Sequence, residues 1–337
     1  MLRVLQVIPA TPGNGFGMIF AKRQASSIQQ AGVEIDVFFL TSRVSPTSLW
    51  KEWGELRKRI REFKPDLIHA HYGTMTAFLC AFGTATPLVV TYRGSDLNPT
   101  RSVSRLRSIW GRVLSQLAAL RASAIICVSR GLKQRLFWCR SRVTVIPSGV
   151  NLELFSPQQR DEARSTLGWS NTEEVVLFNC GVTPRVKRLD LARSAFDFAS
   201  QHRPNLRLVV LEGATDPKLV PVYLNASDCL LFTSDNEGSP NIVKEALACN
   251  LPIVSVEVGD VVERVAGVHP TKVVSRDPQQ LGEALLEILS IAERSNGREI
   301  VASISEDKLA QIIKGIYQSV VDSKPFRANL RLQRGTR

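Results

Sequence analysis

The chain has 337 residues, 44% of them apolar, and a mean hydropathy of −0.01, which predicts a soluble globular protein with room for two domains. No apolar window of the sequence reaches the length of a membrane span, which excludes a polytopic membrane protein. The net charge of +12 is uneven, since residues 1–165 hold 23 basic and 10 acidic side chains. This half therefore predicts an anionic partner, such as a membrane surface, a phosphorylated substrate or nucleic acid.

The first residues, Met1 to Pro9, are too short for a signal peptide and favour a first strand, so we expect a cytoplasmic protein. The six cysteines are scattered without CxxC spacing. We expect reduced core thiols rather than disulfides or metal ligands.

Short apolar strands alternate with helices through the first half of the chain. Strands are predicted over 2–8, 35–40, 67–71, 88–91, 124–128 and 143–146, and helices over 20–30 and 50–63. After a polar stretch the pattern restarts, with strands over 175–178, 206–211, 229–233 and 252–256 and helices over 189–199 and after Ser239. Such alternation predicts two doubly wound parallel sheets, joined near residues 150–165, with ligands in a cleft at the carboxyl ends of the strands.

Three loops of the first half follow predicted strands. The loop 11–17 contains Gly15 and Gly17 before a helix, which suits a phosphate, although it lacks the GxGxxG pattern and an ordinary turn explains it equally. Arg93 and Asp96 flank a glycine at another strand end and suggest polar ligand contacts. His71, near the end of its strand, can reach the same edge, but packing explains it too.

The segment 101–121 has an apolar stripe at helical spacing, with arginines beside it. The stripe consists of Leu106, Ile109, Trp110, Val113, Leu114 and Leu117. We interpret it as a core-facing surface and assign contact with an anionic membrane to the arginines.

The loop 181–188 follows a strand and opens a helix, and it carries Arg185, Lys187 and Arg188. Cations at a helix start oppose the helix dipole, and a bound diphosphate would supply the missing counter-charge. A solvated basic turn is the alternative.

The most informative segment runs from Ser234 to Glu245. After a buried strand, Glu237 lies in a loop, Ser239 is a predicted N-cap and Pro240 occupies the first helical position. The helix start suits a phosphate, and Glu237 and Glu245 can hold different parts of one ligand, such as sugar hydroxyls. Solvent-exposed acids on an ordinary strand–loop–helix are the alternative.

Several segments in order resemble the family-four retaining glycosyltransferases, which have the GT-B fold. The similar segments are Asp66-Leu-Ile-His-Ala-His-Tyr-Gly73, Val90-Thr-Tyr-Arg-Gly-Ser-Asp96, Val145-Ile-Pro-Ser-Gly-Val-Asn151 and Glu237-Gly-Ser-Pro with Glu245-Ala. The serine after the glycine resembles the surface-polysaccharide branch. The resemblance implies an acceptor-binding domain over 1–160, a donor domain over 161–325 whose last helix packs back on the first domain, and a basic tail over 326–337.

The resemblance also implies roles for single residues. Glu237 would contact donor sugar hydroxyls, Glu245 the ribose, and Lys187 the diphosphate leaving group. Donor contacts are further implied for Arg185, Gly15, Gly17, Gly238, Ser239, Pro240, Asn241 and Ile242. Arg93 is assigned to catalysis, and His71 and Asp96 to the acceptor side. No metal and no cofactor are expected, because basic side chains and helix dipoles would stabilise the departing charge.

This sequence departs from the family pattern at three places. Val182 stands directly after the phosphate-loop glycine, where an arginine usually follows shortly, and Arg188 replaces a usual glycine. Arg93 replaces a histidine, and the stretch between Leu211 and Ala226 is short.

We expect a glycosyltransferase that moves a sugar from a UDP- or GDP-sugar to a glycan or lipid-linked acceptor in surface polysaccharide synthesis. We place it in the cytoplasm, peripheral on the inner face of the membrane through its basic half. A nucleotide-sugar epimerase of the same fold and a non-catalytic sugar-nucleotide binding protein are the alternatives. A nucleic-acid partner is disfavoured, because the basic half has no recognition motif.

Overall fold

The computed structural model describes residues 1–9, 18–41, 45–99 and 103–323, and the chain divides into two compact units. The first unit takes Met1–Pro99, Val103–Pro147 and Glu306–Arg337, and the second takes Ser148–Ser305 with Thr100–Ser102. Among the described residues, no helix combines the length and the apolar character that crossing a bilayer requires.

The first unit contains a six-stranded parallel sheet. Its strands are β1 (Arg3–Pro9), β2 (Glu34–Leu40), β3 (Leu67–His71), β4 (Leu88–Tyr92), β5 (Ala124–Cys127) and β6 (Val143–Val145), in the order β2-β1-β3-β4-β5-β6. Its helices are α1 (Ile19–Gln30), α2 (Pro46–Phe63), α3 (Thr74–Gly83), α4 (Arg105–Arg121), α5 (Arg130–Arg135) and, from the end of the chain, α14 (Glu306–Asp322). β3 and β4 are wholly buried, as continuous apolar runs in a parallel sheet predict.

The second unit contains a five-stranded parallel sheet. Its strands are β7 (Glu174–Gly181), β8 (Leu206–Glu212), β9 (Cys229–Phe232), β10 (Ile253–Val256) and β11 (Thr271–Val274), in the order β11-β10-β9-β7-β8. Its helices are α6 (Arg160–Leu167), α7 (Pro184–Lys187), α8 (Leu189–Ser200), α9 (Val220–Ala226), α10 (Asn241–Ala248), α11 (Val261–Val265), α12 (Pro278–Ile291) and α13 (Gly297–Val301).

The domains 1–160 and 161–325, with the last helix packed on the first domain, stay a prediction beside these two units. Residues 148–160 belong to the second unit, where Arg298 donates hydrogen bonds to the carbonyls of Leu152 and Phe155 at 2.9 and 2.8 Å. α14 belongs to the first unit, where the Lys314 ammonium donates to the Ala31 carbonyl at 2.6 Å. The predicted tail 326–337 lies outside the described residues.

The predicted orientation of α4 is wrong. Four of the six stripe side chains face solvent: Leu106 is 72% exposed and Trp110 65%, and Ile109 and Val113 are also exposed. Leu114 and Leu117 are half-buried. The buried face is made of Ser115, Gln116, Ala118 and Ala119 instead. Small residues occupy the buried face because α4 packs closely on α3. A Cβ at Gly111 would lie 3.2 Å from the Thr74 methyl group.

Each sheet has a switch point, which is the place between two neighbouring strands where the strand order reverses and the connections run to opposite sides. In the first unit it lies between β1 and β3, and in the second between β7 and β9. Loops diverge at the carboxyl ends of such strands and leave a crevice, which is the usual ligand site of doubly wound sheets. The predicted site residues follow these strands or their immediate neighbour β4.

Candidate functional site

In the second unit, Lys187 and Glu237 meet across the switch point. Lys187 ends α7, after β7, and Glu237 lies between β9 and α10. The Lys187 ammonium lies 2.5 Å from Glu237 Oε1, and both side chains are about one-fifth exposed. Lys187 also lies over the Phe232 ring, at 5.4 Å from its centroid. The sequence predicted a role for each residue, and the structure brings the two together as an ion pair.

Four further contacts hold the α7 segment against the loop after β9. The Thr233 hydroxyl donates to the carbonyls of Lys187 and Arg188 at 2.9 and 3.1 Å. The Asp235 amide donates to the Val186 carbonyl at 2.9 Å, and the Arg188 guanidinium lies 3.2 Å from the Asp235 carboxylate. Backbone and side-chain bonds therefore fix the position of Lys187 relative to Glu237.

Arg188, which replaces the usual glycine, has a left-handed backbone with φ of 58°. A side chain in this conformation costs about 1 kcal/mol. The Arg188 guanidinium contacts both Asp190 and Asp235, and these carboxylates raise its pKa. Arg188 therefore forms two ion pairs at a position where glycine would adopt the left-handed backbone without this conformational cost.

α10 begins one residue later than predicted. Pro240 is its N-cap, with extended backbone, and no side chain caps the helix. The predicted N-cap Ser239 instead donates its hydroxyl to Asp260 at 2.8 Å and accepts from Lys244 at 2.6 Å. The N-cap proline has no side-chain acceptor for the amide N–H groups of the first turn of α10, and a helix start of this kind suits an anion.

A buried polar network lies behind this helix start. Lys244 is fully buried and donates to both the carbonyl and the hydroxyl of Ser239, at 3.0 and 2.6 Å. Asp260 accepts from Ser239 and pairs with Arg264 at 3.2 Å. Burial raises the pKa of Asp260, and Lys244 and Ser239 oppose that shift. The network fixes the Ser239 backbone between Glu237 and α10.

Sequence reasoning missed Lys244 and Asp260. The available signal was a lysine inside the apolar stretch Ile242-Val-Lys-Glu-Ala-Leu-Ala, at helical spacing from the buried Ala248. A lysine on a buried face requires acceptors, because an unpaired buried ammonium is too costly. Which residues accept from this lysine could not be read from the sequence.

Gly259 brings the loop after β10 against Glu237 and Gly238. Its φ is 61°, and a Cβ there would lie 2.9 Å from the Gly238 carbonyl oxygen and 3.1 Å from Glu237 Cβ. Arg276 joins the same edge by donating to the Ser234 carbonyl at 2.8 Å. The loops after β9 and β10 therefore form one packed surface.

The remaining predicted donor residues occupy this edge with different exposure. Glu245 lies in the second turn of α10 and is partly buried, as is Asn241, whereas Ser239 and Ile242 are buried. Arg185 is exposed on α7. Gly15 and Gly17 lie outside the described residues.

In the first unit, Arg93 and His71 are hydrogen-bonded at the carboxyl ends of β4 and β3. The Arg93 guanidinium donates to His71 Nδ1 at 2.8 Å and to Gln24 at 2.8 Å, and it covers the Phe20 ring. His71 Nε2 lies 2.6 Å from Oε1 of the Gln6 side-chain amide. Since that oxygen accepts, Nε2 carries the proton and Nδ1 accepts from Arg93.

Burial controls the charges of this group. It lowers the pKa of His71 well below the ordinary value, with His69 and Arg93 adding to the effect. Burial also lowers the pKa of Arg93 to about 10, which leaves it protonated at neutral pH. A neutral His71 thus accepts a hydrogen bond from the protonated Arg93 at the carboxyl ends of β3 and β4.

Asp96, predicted on the acceptor side, is fully buried. Its carboxylate accepts from the amides of Gly73, Arg93 and Gly94 at 2.8 to 3.1 Å. Burial raises its pKa, and these amide bonds oppose the shift. Asp96 therefore ties the loop after β3 to the loop after β4.

Two cavities are near the sheets. One of about 970 Å³ lies at the amino ends of β4 to β6, with Arg121 and Arg142 in its lining, and is remote from the residues above. Another of about 570 Å³ lies at the carboxyl ends of β10 and β11, beside Gly259 and Arg276. We favour the second cavity as part of the candidate site, because it lies at the carboxyl ends of strands, where doubly wound sheets bind ligands.

No group of three or more metal-ligating side chains occurs within the described ranges. Five of the six cysteines are buried, and burial raises the pKa of Cys80 to about 12. The functional chemistry of the described site is thus that of a carboxylate, cations and helix-start amides.

Comparison with known proteins gives two family matches. Residues 16–154 match the model described as Glycosyltransferase Family 4, and residues 173–290 match Glycosyl transferases group 1. An uncharacterized glycosyltransferase of Methanocaldococcus jannaschii is 24% identical over 277 residues, covering 76% of each chain. The putative teichuronic acid biosynthesis glycosyltransferase TuaC of Bacillus subtilis is 26% identical, covering 69% of this chain and 66% of TuaC.

Among solved structures, HepE of Anabaena in complex with UDP-glucose has a TM-score of 0.73 at 17% identity. The match covers 95% of this chain and 100% of HepE. Two parallel sheets flanked by helices, together with this likeness, show the GT-B fold, so the predicted fold class is confirmed.

Proposed function

We propose that this chain, which belongs to the family-four-like glycosyltransferases, moves a sugar from a nucleotide-diphosphate sugar to a glycan or lipid-linked acceptor. The observation that carries the donor assignment is the Lys187–Glu237 pair beside the uncapped start of α10. A diphosphate needs a cation and free amide donors, and a sugar needs a carboxylate to accept from its hydroxyls. The second unit presents all three at one switch point.

In this proposal the second unit binds the donor. Lys187 and the first amides of α10 hold the diphosphate, with Arg185 as a second cation. The diphosphate releases Glu237 from Lys187, and Glu237 then accepts from donor sugar hydroxyls. Glu245, in the second turn of α10, accepts from the ribose hydroxyls. UDP is the nucleoside diphosphate that we favour as the carrier of the donor sugar, since HepE and this chain share a fold and HepE binds UDP-glucose.

The reaction breaks the bond between the sugar anomeric carbon and the β-phosphate oxygen. The acceptor hydroxyl forms the new bond on the same face, and its proton passes to the departing phosphate oxygen. Negative charge grows on the diphosphate as it leaves, so fixed cations and amide dipoles lower the barrier. We assign this stabilisation to Lys187 and Arg93, with no metal required.

On the acceptor side we place His71 and Asp96 as positioning residues. His71 orients Arg93 by accepting from it, and Asp96 fixes the loop that carries Arg93. Gly15 and Gly17 are proposed to approach the donor phosphates. A role in surface polysaccharide synthesis is proposed from the similarity to TuaC.

A thermal-shift screen of UDP-, GDP- and ADP-sugars tests the donor assignment, because a ligand that binds only the folded state raises Tm. We expect a UDP-sugar to raise Tm and Glu237→Gln to weaken that shift. The donor is then offered with and without glycan and lipid-linked acceptors. Isomerisation without acceptor would identify an epimerase, and binding without transfer or hydrolysis would identify a binding protein.

A further inference from the structure

The outward face of α4 is apolar, although the helix belongs to a folded unit. Leu106, Ile109, Trp110 and Val113 are exposed along it, while Gly111, Ser115 and the alanines face α3. Scattered exposed apolar residues are ordinary, but a contiguous set on one face marks an interaction surface. The helix thus presents its large side chains away from its own core.

A second pair of aromatic side chains extends this face. Phe137 and Trp138, after α5, are exposed, and both are fixed to Gln116 of α4. The Phe137 amide donates to the Gln116 side chain at 3.1 Å, and the Trp138 indole donates to the Gln116 carbonyl at 2.8 Å. Gln116 lies one turn beyond Val113. We name the six residues Leu106, Ile109, Trp110, Val113, Phe137 and Trp138 the α4 patch.

Charge around the α4 patch has one sign. Residues 103–152 contain nine lysines and arginines and no aspartate or glutamate. Within the part of the chain that the structure describes, no ion pair joins any of the nine to a carboxylate. At 100° per residue, Arg105 and Arg112 border one side of the stripe, and Arg107 and Arg121 border the other.

We propose that the α4 patch docks on an anionic lipid bilayer surface, with its apolar side chains at the acyl boundary and the bordering arginines at the headgroups. Amphipathic helices bind bilayers in this way when arginines flank a face of Trp, Leu and Ile. A second copy of this chain is disfavoured as the occupant because it carries the same charge. Nucleic acid is disfavoured because Leu106, Ile109 and Val113 offer neither stacking nor hydrogen bonds. This inference goes beyond the proposed function and does not depend on it.

The test is co-sedimentation of the whole chain with phosphatidylcholine vesicles that contain or lack phosphatidylglycerol. We expect binding only with the anionic lipid, weakened by salt. Ile109→Ser with Trp110→Ser should lower partitioning at least ~tenfold, since each removes apolar area worth about 1 kcal/mol or more. Arg105→Gln with Arg112→Gln should lower it by about 30-fold, at about 1 kcal/mol per arginine.

The matched control is Trp50→Ser, which removes an equally exposed tryptophan from α2. It should bind vesicles like the wild type. The substituted side chains are exposed except Arg112, which is half-buried, so Tm should change little. Glu237→Gln should also bind vesicles normally, and the α4 patch variants should keep their response to UDP-sugar, so failure of this proposal is distinct from failure of the proposed function.

Three results would overturn the proposal. The first is equal binding to neutral and anionic vesicles, and the second is unchanged binding by Ile109→Ser with Trp110→Ser. The third is a concentration-dependent dimer of the wild type that the same double variant abolishes, which would assign the α4 patch to self-association. Loss of vesicle binding in both double variants, with Trp50→Ser unaffected, would support it.

Discussion

Lys187 and Glu237 are 50 positions apart in the chain, yet their charged groups lie 2.5 Å apart at the switch point of the second sheet. Each supplies the other's counter-charge. A diphosphate sugar would separate the pair, because the phosphate competes for the ammonium and the sugar hydroxyls compete for the carboxylate. The pair is therefore the first place at which to test the proposed activity.

We expect Glu237→Gln to lower turnover at least ~100-fold while Tm stays within a few degrees of the wild type. The amide keeps the shape but loses the charge-assisted hydrogen bonds to the sugar. Release of nucleoside diphosphate in the presence of acceptor measures turnover. Glu283→Gln, on an exposed helix surface, is the matched control. Wild-type turnover in Glu237→Gln would remove this residue from the mechanism.

Lys187→Met should weaken binding of a nucleoside diphosphate at least ~tenfold, or about 1.4 kcal/mol, because the variant loses the cation and leaves Glu237 facing the phosphates. Binding of the nucleoside without phosphates should change little. Titration calorimetry with the two ligands separates these effects. Lys187→Arg restores the charge and should recover most of the affinity. An equal loss for both ligands would mean that Lys187 acts only on the fold.

Lys244→Met should lower the free energy of unfolding by about 2–4 kcal/mol, because Ser239 and the buried Asp260 lose a cationic partner. Urea unfolding provides the measurement. With Asp260→Asn added, the loss should be smaller than the sum of the single losses, since both residues belong to one network. Strict additivity of the two single losses would show that the Ser239 network does not couple them.

Gly259→Ala should destabilise the chain by about 2–3 kcal/mol and weaken UDP-sugar binding, since the methyl group meets the Gly238 carbonyl at a left-handed backbone position. Gly168→Ala isolates the backbone term, because Gly168 has φ of 67° with no atom within 4 Å of its Cβ position. That control should cost about 1 kcal/mol. Equal losses in the two variants, with donor binding intact, would contradict the proposed packing against Glu237.

Stability should fall as pH falls below about 6.5, where an unfolded histidine takes up a proton. Burial holds the pKa of His69 at about 3 and that of His71 well below its ordinary value. Both histidine side chains therefore stay neutral in the folded chain just below pH 6.5. The unfolded state then binds more protons, and each histidine contributes a slope of about 1.4 kcal/mol per pH unit.

This slope can be assigned with one variant. His71→Gln should lower the slope of the free energy of unfolding against pH by about 1.4 kcal/mol per pH unit between pH 6.5 and pH 5. Urea unfolding at each pH provides the measurement. His202→Gln, on the exposed surface, is the control and should leave the slope unchanged. Asp96, whose pKa burial raises, acts with the opposite sign and is present in both variants. An unchanged slope in His71→Gln would show that His71 does not stay neutral in the folded chain.

The strands, their parallel arrangement and the edge with the polar loops could be predicted from the sequence. Apolar runs such as residues 67–71 and 229–232 are buried on both faces because parallel strands with crossover helices have no solvent face. The loops after such strands converge at one edge by topology. Glu237 and Lys187 could therefore be predicted to lie at one edge of the second sheet.

Other features depended on packing that sequence periodicity does not record. The stripe of α4 was assigned to the core because large apolar side chains usually lie there, but α3 accepts only small side chains at this distance. The helix start at Ser239 was predicted from cap preference, yet Lys244 and Asp260 take its hydroxyl. In each case a contact from a distant part of the chain outweighed a local preference.

The sequence by itself determined which elements form and which edge of each sheet carries polar loops, because burial on both faces and helix periodicity act over neighbouring residues. Only the tertiary structure decided that Lys187 pairs with Glu237, that Lys244 is buried behind the start of α10, and that α4 turns most of its large side chains outward. These outcomes depend on distances between segments far apart in the chain, and local pattern carries no information on such distances.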